Sequence, residues 1–257
     1  YDIADIEIDA LAVYTNNPPF GAYRGPTGPQ MIFAVESHTD EIAKALGVDP
    51  LSVRLLNVFK EGSLGPSGQV LTNVGMVDAV TRAAEAIGYT SRSQPVEPNH
   101  RRGKGLSAAW WLTTAGSSGC TVQMNEDGTA IVHTGATEIG TGSVMVGAAQ
   151  VVAEELGIPL EQVKVIWGDT DGTPMDAGAQ GSRTMYNMGN AAMQAAQEAK
   201  QQLLQKASHV LEAAEADLEV AAGRVSVKGV PDRSVSYAEL MASQMWATTP
   251  VIGHGTF

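Results

Sequence analysis

The sequence predicts an α+β fold, with mixed sheets and packed helices arranged as two subdomains. Three observations carry that expectation. Some stretches repeat apolar residues at helical spacing, and others alternate them at strand spacing. The two kinds do not follow a strict strand–helix–strand rhythm, which argues against a doubly wound parallel sheet. Hydrophobic residues make up 44% of the 257 residues and charged ones 17%, the composition of a packed protein and not of a disordered one. That length holds one large domain or two smaller ones.

In chain order, Ile6, Ile8, Leu11 and Val13 alternate with polar residues apart from a slip near Ala10, so a bulged strand is expected there. Asn16-Asn17-Pro18-Pro19 stops it. Pro29 suits the first turn of a helix running to Leu46, with Met31, Val35, Ile42 and Leu46 near one face and Gly47 as its end. Asp49-Pro50 caps and opens a second helix, whose apolar stripe is Leu51, Leu55, Val58 and Phe59. Residues 62–68 are loop, and a third helix is expected over Met76–Ile87. The polar run Ser91–Arg102, with Pro95 and Pro98, is the expected boundary, dividing the chain into 1–98 and 99–257.

Beyond it, Leu106–Thr113 reads as a strand carrying Trp110 and Trp111. Cys120, Val122 and Met124 alternate, Asn125–Gly128 turns, and Ala130 and Val132 resume, which makes a hairpin. A helix ending at Leu156 and a strand at Val163, Val165 and Trp167 follow. The Ala- and Gln-rich stretch from Met185 to Glu215 is helical. Arg224–Val227 is read as a short strand and Tyr237–Met245 as a short helix.

Two glycine-studded loops run into helices. The first, Val132–Ala149, carries Gly135, Gly140 and Gly142; backbone N–H groups at the start of its helix suit an anionic ligand. No Gly-Lys-Ser/Thr follows it and the G-x-G-x-x-G spacing is missing, so neither a Walker loop nor a dinucleotide fingerprint is present. The second spans Asp176–Thr184. A formal net charge of −12 argues against nucleic acid or an anionic membrane surface as partner, although local N–H dipoles still suit a small anion. The single cysteine, Cys120, holds no iron–sulfur cluster or disulfide alone and reads as a small buried residue. The five histidines show no ligand spacing, and no metal is assigned to them. Asp169, Asp171 and Asp176 lack the EF-hand pattern. The tryptophans are read as core or subunit-interface residues. No run is apolar enough to span a bilayer and no signal peptide is recognised, so a cytoplasmic location is expected. The strand-like start and plain end lead us to expect a piece of a longer chain.

Three loops in order resemble the large, molybdenum-cofactor-binding subunit of the xanthine oxidase and aldehyde oxidoreductase family. They are Ala22-Tyr23-Arg24-Gly25 with Pro29-Gln30; Gly135-Ala136-Thr137-Glu138-Ile139-Gly140-Thr141-Gly142; and Gly181-Ser182-Arg183-Thr184 leading to Asn187-Met188-Gly189-Asn190-Ala191. The resemblance also covers Asp49-Pro50 to Asn57 and the hairpin, and so nearly the whole chain. It implies a molybdenum–pterin cofactor, in its plain or cytosine dinucleotide form, and oxidation of an aldehyde or N-heterocycle with water-derived oxygen. It also implies iron–sulfur and FAD centres on other domains or subunits, the remainder of the large subunit as partner, and a small-molecule substrate.

By the same resemblance Gly25, Gly140, Thr141, Gly142, Gln180, Gly181, Ser182, Arg183 and Thr184 contact the cofactor. Arg24 orients substrate or braces the molybdenum loop, or else is a surface arginine in a turn. Ser182 and Thr184 donate hydroxyls to the cofactor or cap the helix, and Arg183 pairs with phosphate or is solvated. Glu138 is read as structural, holding loop N–H groups, because the family's catalytic glutamate lies in a later motif that this sequence lacks. Thr141 stands where the family has glutamine. Pro26 stands where purine-oxidising relatives have a stacking phenylalanine, which counts against a purine. Gly25 stands where carbon monoxide dehydrogenases carry a copper-binding cysteine, which counts against copper-assisted chemistry. The rival readings are a non-redox nucleotide- or phosphate-binding module and a degenerate scaffold subunit.

Overall fold

A left-handed turn and a proline start the first helix. Gly25 and Thr27 both have positive φ, Gly28 N–H donates to the Gly25 carbonyl at 2.9 Å, and α1 runs over Gly28–Leu46. In the computed structural model, which describes residues 1–19, 21–91, 97–242 and 250–257, the chain forms two units, 1–111 and 112–257. Each is taken by itself.

The first unit holds α1, α2 (Pro50–Asn57) and α3 (Met76–Ala86). The Asp49 carboxylate caps α2 by accepting Ser52 N–H at 2.8 Å, and Gly47 ends α1 in the left-handed conformation. The buried side of α1 is not its apolar stripe. Met31, Val35, Ile42 and Leu46 are exposed, while Glu36, Thr39 and Ala43 are buried. An ion pair accounts for this: Arg54, fully buried on α2, donates from Nε to Glu36 at 2.9 Å and from Nη1 to Asp40 at 2.7 Å. Glu36 also accepts Ala108 N–H at 2.8 Å and the Tyr1 hydroxyl; burial and that carboxylate push the Tyr1 phenol up to about 12.

Two strand expectations fail here. Residues 6–13 form no strand, and Ile8 and Leu11 are 79% and 92% exposed; alternation alone supplies no ladder partner among the described residues. Residues 106–113 form none either, because the backbone is tied to side chains, as at Ala108. Trp111 instead lies over Gly28, where a Cβ would come within 2.6 Å of its ring, and Trp110 meets Phe59 edge-on at 6.3 Å. Residues 92–96 of the expected boundary run lie outside the described residues.

In the second unit the expected hairpin is β1 (Gly119–Met124) and β2 (Ala130–Thr134). A π-helical turn (Ser143–Ala148) and α4 (Ala149–Leu156) then lead to β3 (Val163–Trp167), which pairs parallel to β2. The sheet order is β3-β2-β1-β7, with β7 (Ile252–Thr256) antiparallel to β1. β7 escapes sequence reading because its glycines carry no strand signal. Their use is space: a Cβ at Gly253 would come within 1.9 Å of the Ala195 carbonyl, and one at Gly255 within 1.9 Å of that of Ala191. Those alanines belong to α5 (Thr184–Leu211), which lies directly on β7.

The helix also closes the strand's free edge. Gln194, Glu198 and Gln202 accept the N–H groups of Thr256, His254 and Ile252 at 3.3, 2.7 and 3.1 Å. Four residues of helix rise about 6 Å and two residues of strand about 7 Å, so a helical row can serve as a strand's partner. The core between sheet and helices holds Val122, Val132, Val144, Val152, Leu156, Met188 and Leu203, with Cys120 buried as expected.

α5 stops at Leu211, short of Glu215, where Glu212 turns left-handed and Arg233 donates to the Leu211 carbonyl. A second sheet, β4 (Leu218–Ala221), β5 (Arg224–Val227) and β6 (Val230–Ser236), follows with α6 (Tyr237–Ala242). β6 tolerates Pro231 because it is an edge strand. The remainder of the expected last helix, 243–245, lies outside the described residues.

Candidate functional site

Parallel strands place the loops that leave them at one end of a sheet, where ligands of such sheets are bound. β2 ends at Thr134 and β3 at Trp167, so the loops 135–142 and 168–178 leave the same end. They touch: a Cβ at Gly135 would meet the Pro174 carbonyl at 2.1 Å. β1 begins and β7 finishes at this end, and Ser118 pairs with Asp176 as an isolated bridge. The loop 181–184 joins them through α5, whose Met185 sulfur would lie 2.6 Å from a Cβ on Gly147 of the π-helical turn. Two helix starts thus stand side by side. Around them Ile139, Met145, Met175, Met185, Tyr186 and Phe257 are exposed, with Tyr186 and Phe257 in edge contact at 5.4 Å.

The two helix starts differ in what satisfies them. At the first, one Glu138 oxygen accepts Gly140 and Gly142 N–H at 2.7 and 2.9 Å, and the other accepts Val144 and Met145 N–H at 3.1 and 3.4 Å. Those bonds hold the Glu138 carboxyl at about 2, far below its ordinary value. The sequence expectation that Glu138 holds loop N–H groups is met. The expectation that these N–H groups await an anion needs revising, since the chain's own carboxylate takes them. Gly140 and Gly142 have φ of +95° and +75° with open space at the Cβ position, so conformation and not crowding requires glycine there. Thr141 turns its hydroxyl back on the loop, 3.0 Å from the Ser143 hydroxyl.

At the second start, Arg183 is fully buried and is neither solvated nor open to a phosphate. Its Nη1 donates to Asp176 at 3.2 Å and to the Gly178 carbonyl at 2.8 Å. Its Nη2 reaches the Gly116 and Ser117 carbonyls and the Ser118 hydroxyl at 2.6, 2.9 and 3.0 Å. The guanidinium is therefore a clamp between loops, and it neutralises Asp176. Asp176 is spent here and on Gly178 N–H and the Ser118 hydroxyl, while Asp169 accepts Asp171 N–H. Among the described residues no three acidic, histidine or cysteine side chains gather as a metal site.

Gly181 is forced by space and by φ +55°, a Cβ there falling 2.2 Å from Thr114 Oγ1. Ser182 follows in the same left-handed region. Arg183 occupies the N-cap position and makes no side-chain cap bond there. Gln180 is exposed, and its carbonyl accepts the Thr114 hydroxyl at 3.2 Å. Two buried polar atoms beside this loop have no partner: Arg183 Nε and Asn187 Oδ1. Arg24 and Gly25 lie in the first unit, Arg24 exposed in the turn before α1. The roles of Arg183 and of the Gly116–Ser118 carbonyls carry no sequence signal, since partners 65 or more residues apart share no spacing.

The start of the 28-residue α5, with no side-chain cap bond at Arg183 and a hydroxyl at Thr184, suits a phosphate-bearing group. Comparison with known proteins bears on which group. Residues 1–58 and 82–257 each match a family described as molybdopterin cofactor-binding domain. The chain belongs to the molybdopterin-binding large-subunit family of xanthine dehydrogenases and aldehyde oxidoreductases. It is 36% identical over 229 residues to the xanthine dehydrogenase molybdenum-binding subunit of Escherichia coli O157:H7, covering 85% of this chain and 30% of that protein. It is 31% identical over 199 residues to the aldehyde oxidoreductase of Megalodesulfovibrio gigas, covering 74% and 22%. Its fold matches quinoline 2-oxidoreductase from Pseudomonas putida 86, with a TM-score of 0.74 at 22% identity over 93% of this chain and 34% of that one. The chain thus spans between about a fifth and a third of the length of these relatives. Among the described residues no helix is long and apolar enough to cross a membrane.

Proposed function

We propose that this chain is the cofactor-binding segment of a molybdenum hydroxylase that oxidises an aldehyde or an N-heterocycle, the oxygen coming from water. The observation that carries the reading is the meeting of two glycine loops at one sheet end, beside the uncapped start of α5. The cofactor supplies the redox chemistry when bound. The chain's residues would bind and orient it: the Thr184 hydroxyl and the backbone N–H groups that open α5 would hold phosphate, the Gly140–Gly142 backbone would hold the pterin, and the exposed Ile139, Met145 and Met185 side chains would exclude water. Arg183 is reassigned from phosphate partner to loop clamp. Arg24 is kept on the substrate side and Gly25 among the cofactor contacts, on the resemblance of Ala22–Gly25. Pro26 has no aromatic ring to stack on a purine, which favours an aldehyde or another heterocycle.

We further propose a molybdenum–pterin cofactor in its plain or cytosine dinucleotide form, a division of the chain near residue 98, and partners bearing iron–sulfur and FAD centres in a cytoplasmic complex. Separate family matches over 1–58 and 82–257 support two parts. The single cysteine supports clusters held elsewhere. The test is the native complex purified through this chain, assayed for molybdenum by mass spectrometry and for oxidised pterin by fluorescence. Near-stoichiometric molybdenum with iron is expected, and cytidine monophosphate released by acid would mark the dinucleotide form. Neither molybdenum nor pterin, from cells that make the cofactor, would return the loops to a phosphate-binding module or a scaffold.

A further inference from the structure

We infer that Glu138 is a positioning residue, whose carboxylate gathers the 139–145 loop and closes the first helix start to outside anions. The inference rests on the cofactor reading above. Besides this carboxylate, the loop's side-chain bonds are short-range ones between Thr141 and Ser143, at 3.0 and 3.3 Å. Ile139, Gly140 and Thr141 are exposed, and the Cβ positions of Gly140 and Gly142 face open space. No apolar side chain is buried between Ala136 and Val144, so packing does not fix the turn. What fixes it is one carboxylate collecting the N–H groups of Gly140, Gly142, Val144 and Met145.

Alternate peptide groups are thereby turned inward, and both glycines take positive φ to allow it. Downstream, Val146 and Gly147 N–H both donate to the Gly142 carbonyl at 3.0 Å, which opens the π-helical turn. The π-helical turn lets Gly147 abut Met185, so the geometry of the Glu138 cluster is passed to the second helix start. An anion arriving at the first helix start meets a carboxylate already seated on its N–H groups. The loop therefore contributes shape, and the charge recognition falls to α5.

The variants that separate these roles are E138Q, E138D and E138A in the full native complex. Glutamine keeps one acceptor for Gly140 and Gly142 but aims an N–H₂ at the N–H groups of Val144 and Met145. Aspartate keeps the charge but is one methylene short. Amide hydrogen exchange over 140–146 is expected to quicken in the order Glu, Asp, Gln, Ala, with about tenfold between Glu and Gln. Cofactor content should fall in the same order. The molybdenum electron paramagnetic resonance signal of the reduced complex should shift in E138Q, at an unchanged thermal midpoint of the remaining fold. A purely structural residue would lower the yield of folded complex without shifting that signal.

Wild-type exchange over 140–146 retained in E138Q, or an unshifted signal with full cofactor content, would overturn the inference. Should E138A not fold, the Glu–Asp–Gln order decides it. Absence of molybdenum from the wild-type complex would defeat the cofactor reading and not the loop assignment, which the exchange order tests independently.

Discussion

Replacing Gly255 by alanine puts one of the two closest helix–strand approaches in the second unit to the test. The glycine lies in β7 with φ outside the left-handed region, so alanine suits the strand and any cost comes from space alone. The new methyl would sit 1.9 Å from the Ala191 carbonyl oxygen and 2.8 Å from Ala195 N, both helix backbone. Neither can rotate aside, so α5 must retreat from β7 by about 1.5 Å to reach ordinary contact distance. That retreat would take the Glu198–His254 bond, now 2.7 Å, and the Gln194–Thr256 bond, now 3.3 Å, beyond hydrogen-bond range. Two bonds at about 1 kcal/mol each, with about 1–3 kcal/mol for overpacking, give a loss of about 3–5 kcal/mol. Urea unfolding followed by circular dichroism measures it, with G103A as control, since a Cβ at Gly103 meets nothing within 4 Å. A loss for G255A no larger than for the control would mean that helix and strand do not approach this closely, and would refute the reasoning.

Three further outcomes follow from the site. R183M should cost about 3–5 kcal/mol, because it strands the buried Asp176 carboxylate and the Gly116 and Ser117 carbonyls, while D176N should cost less; equal, small losses in thermal unfolding would contradict the clamp. Glu138 has its carboxyl lowered from 4.5 to about 2, so its hold on the loop is complete above about pH 4.5 and is lost as pH falls through 2. In an acid titration the amide signals of Gly140 and Gly142 should keep their positions to below pH 3, and a transition at pH 4 would contradict this. Burial pushes the Cys120 thiol up to about 12, so iodoacetamide at pH 8 should leave it unmodified until the protein is unfolded.

Local structure was legible where the signal is local. Pro29, Gly47 and Asp49-Pro50 mark the α1 and α2 ends to within a residue or two, and Asn125–Gly128 marks the hairpin. Reading failed where the decisive partner is remote. The stripe Met31, Val35, Ile42, Leu46 has helical period, yet α1 turns Glu36 inward because Arg54 waits there 18 residues on. β7 was invisible because its glycines answer to Ala191 and Ala195 on α5, not to each other. Of the site residues, glycines with positive φ were legible as glycines, but which helix start stays open was not. That depends on Glu138 reaching forward to Met145 and on Arg183 reaching back to Gly116.

These two side chains would account for how a chain of net charge −12 could hold the phosphate of the proposed cofactor. A long-range field of that sign opposes an incoming phosphate, but salt screens it over about 8 Å, so the final approach is governed by local dipoles. At the first loop the local dipoles are cancelled by Glu138. At the second, the nearest carboxylate, Asp176, is matched by Arg183, which keeps its cation below the surface and spends it on loop carbonyls. The start of α5 therefore faces outward with its own partial positive charge and no countercharge on its N-cap side chain. Had Arg183 reached into solvent, it would attract any anion alike. Held inside, it leaves recognition to N–H groups and hydroxyls of fixed position, which discriminate by shape.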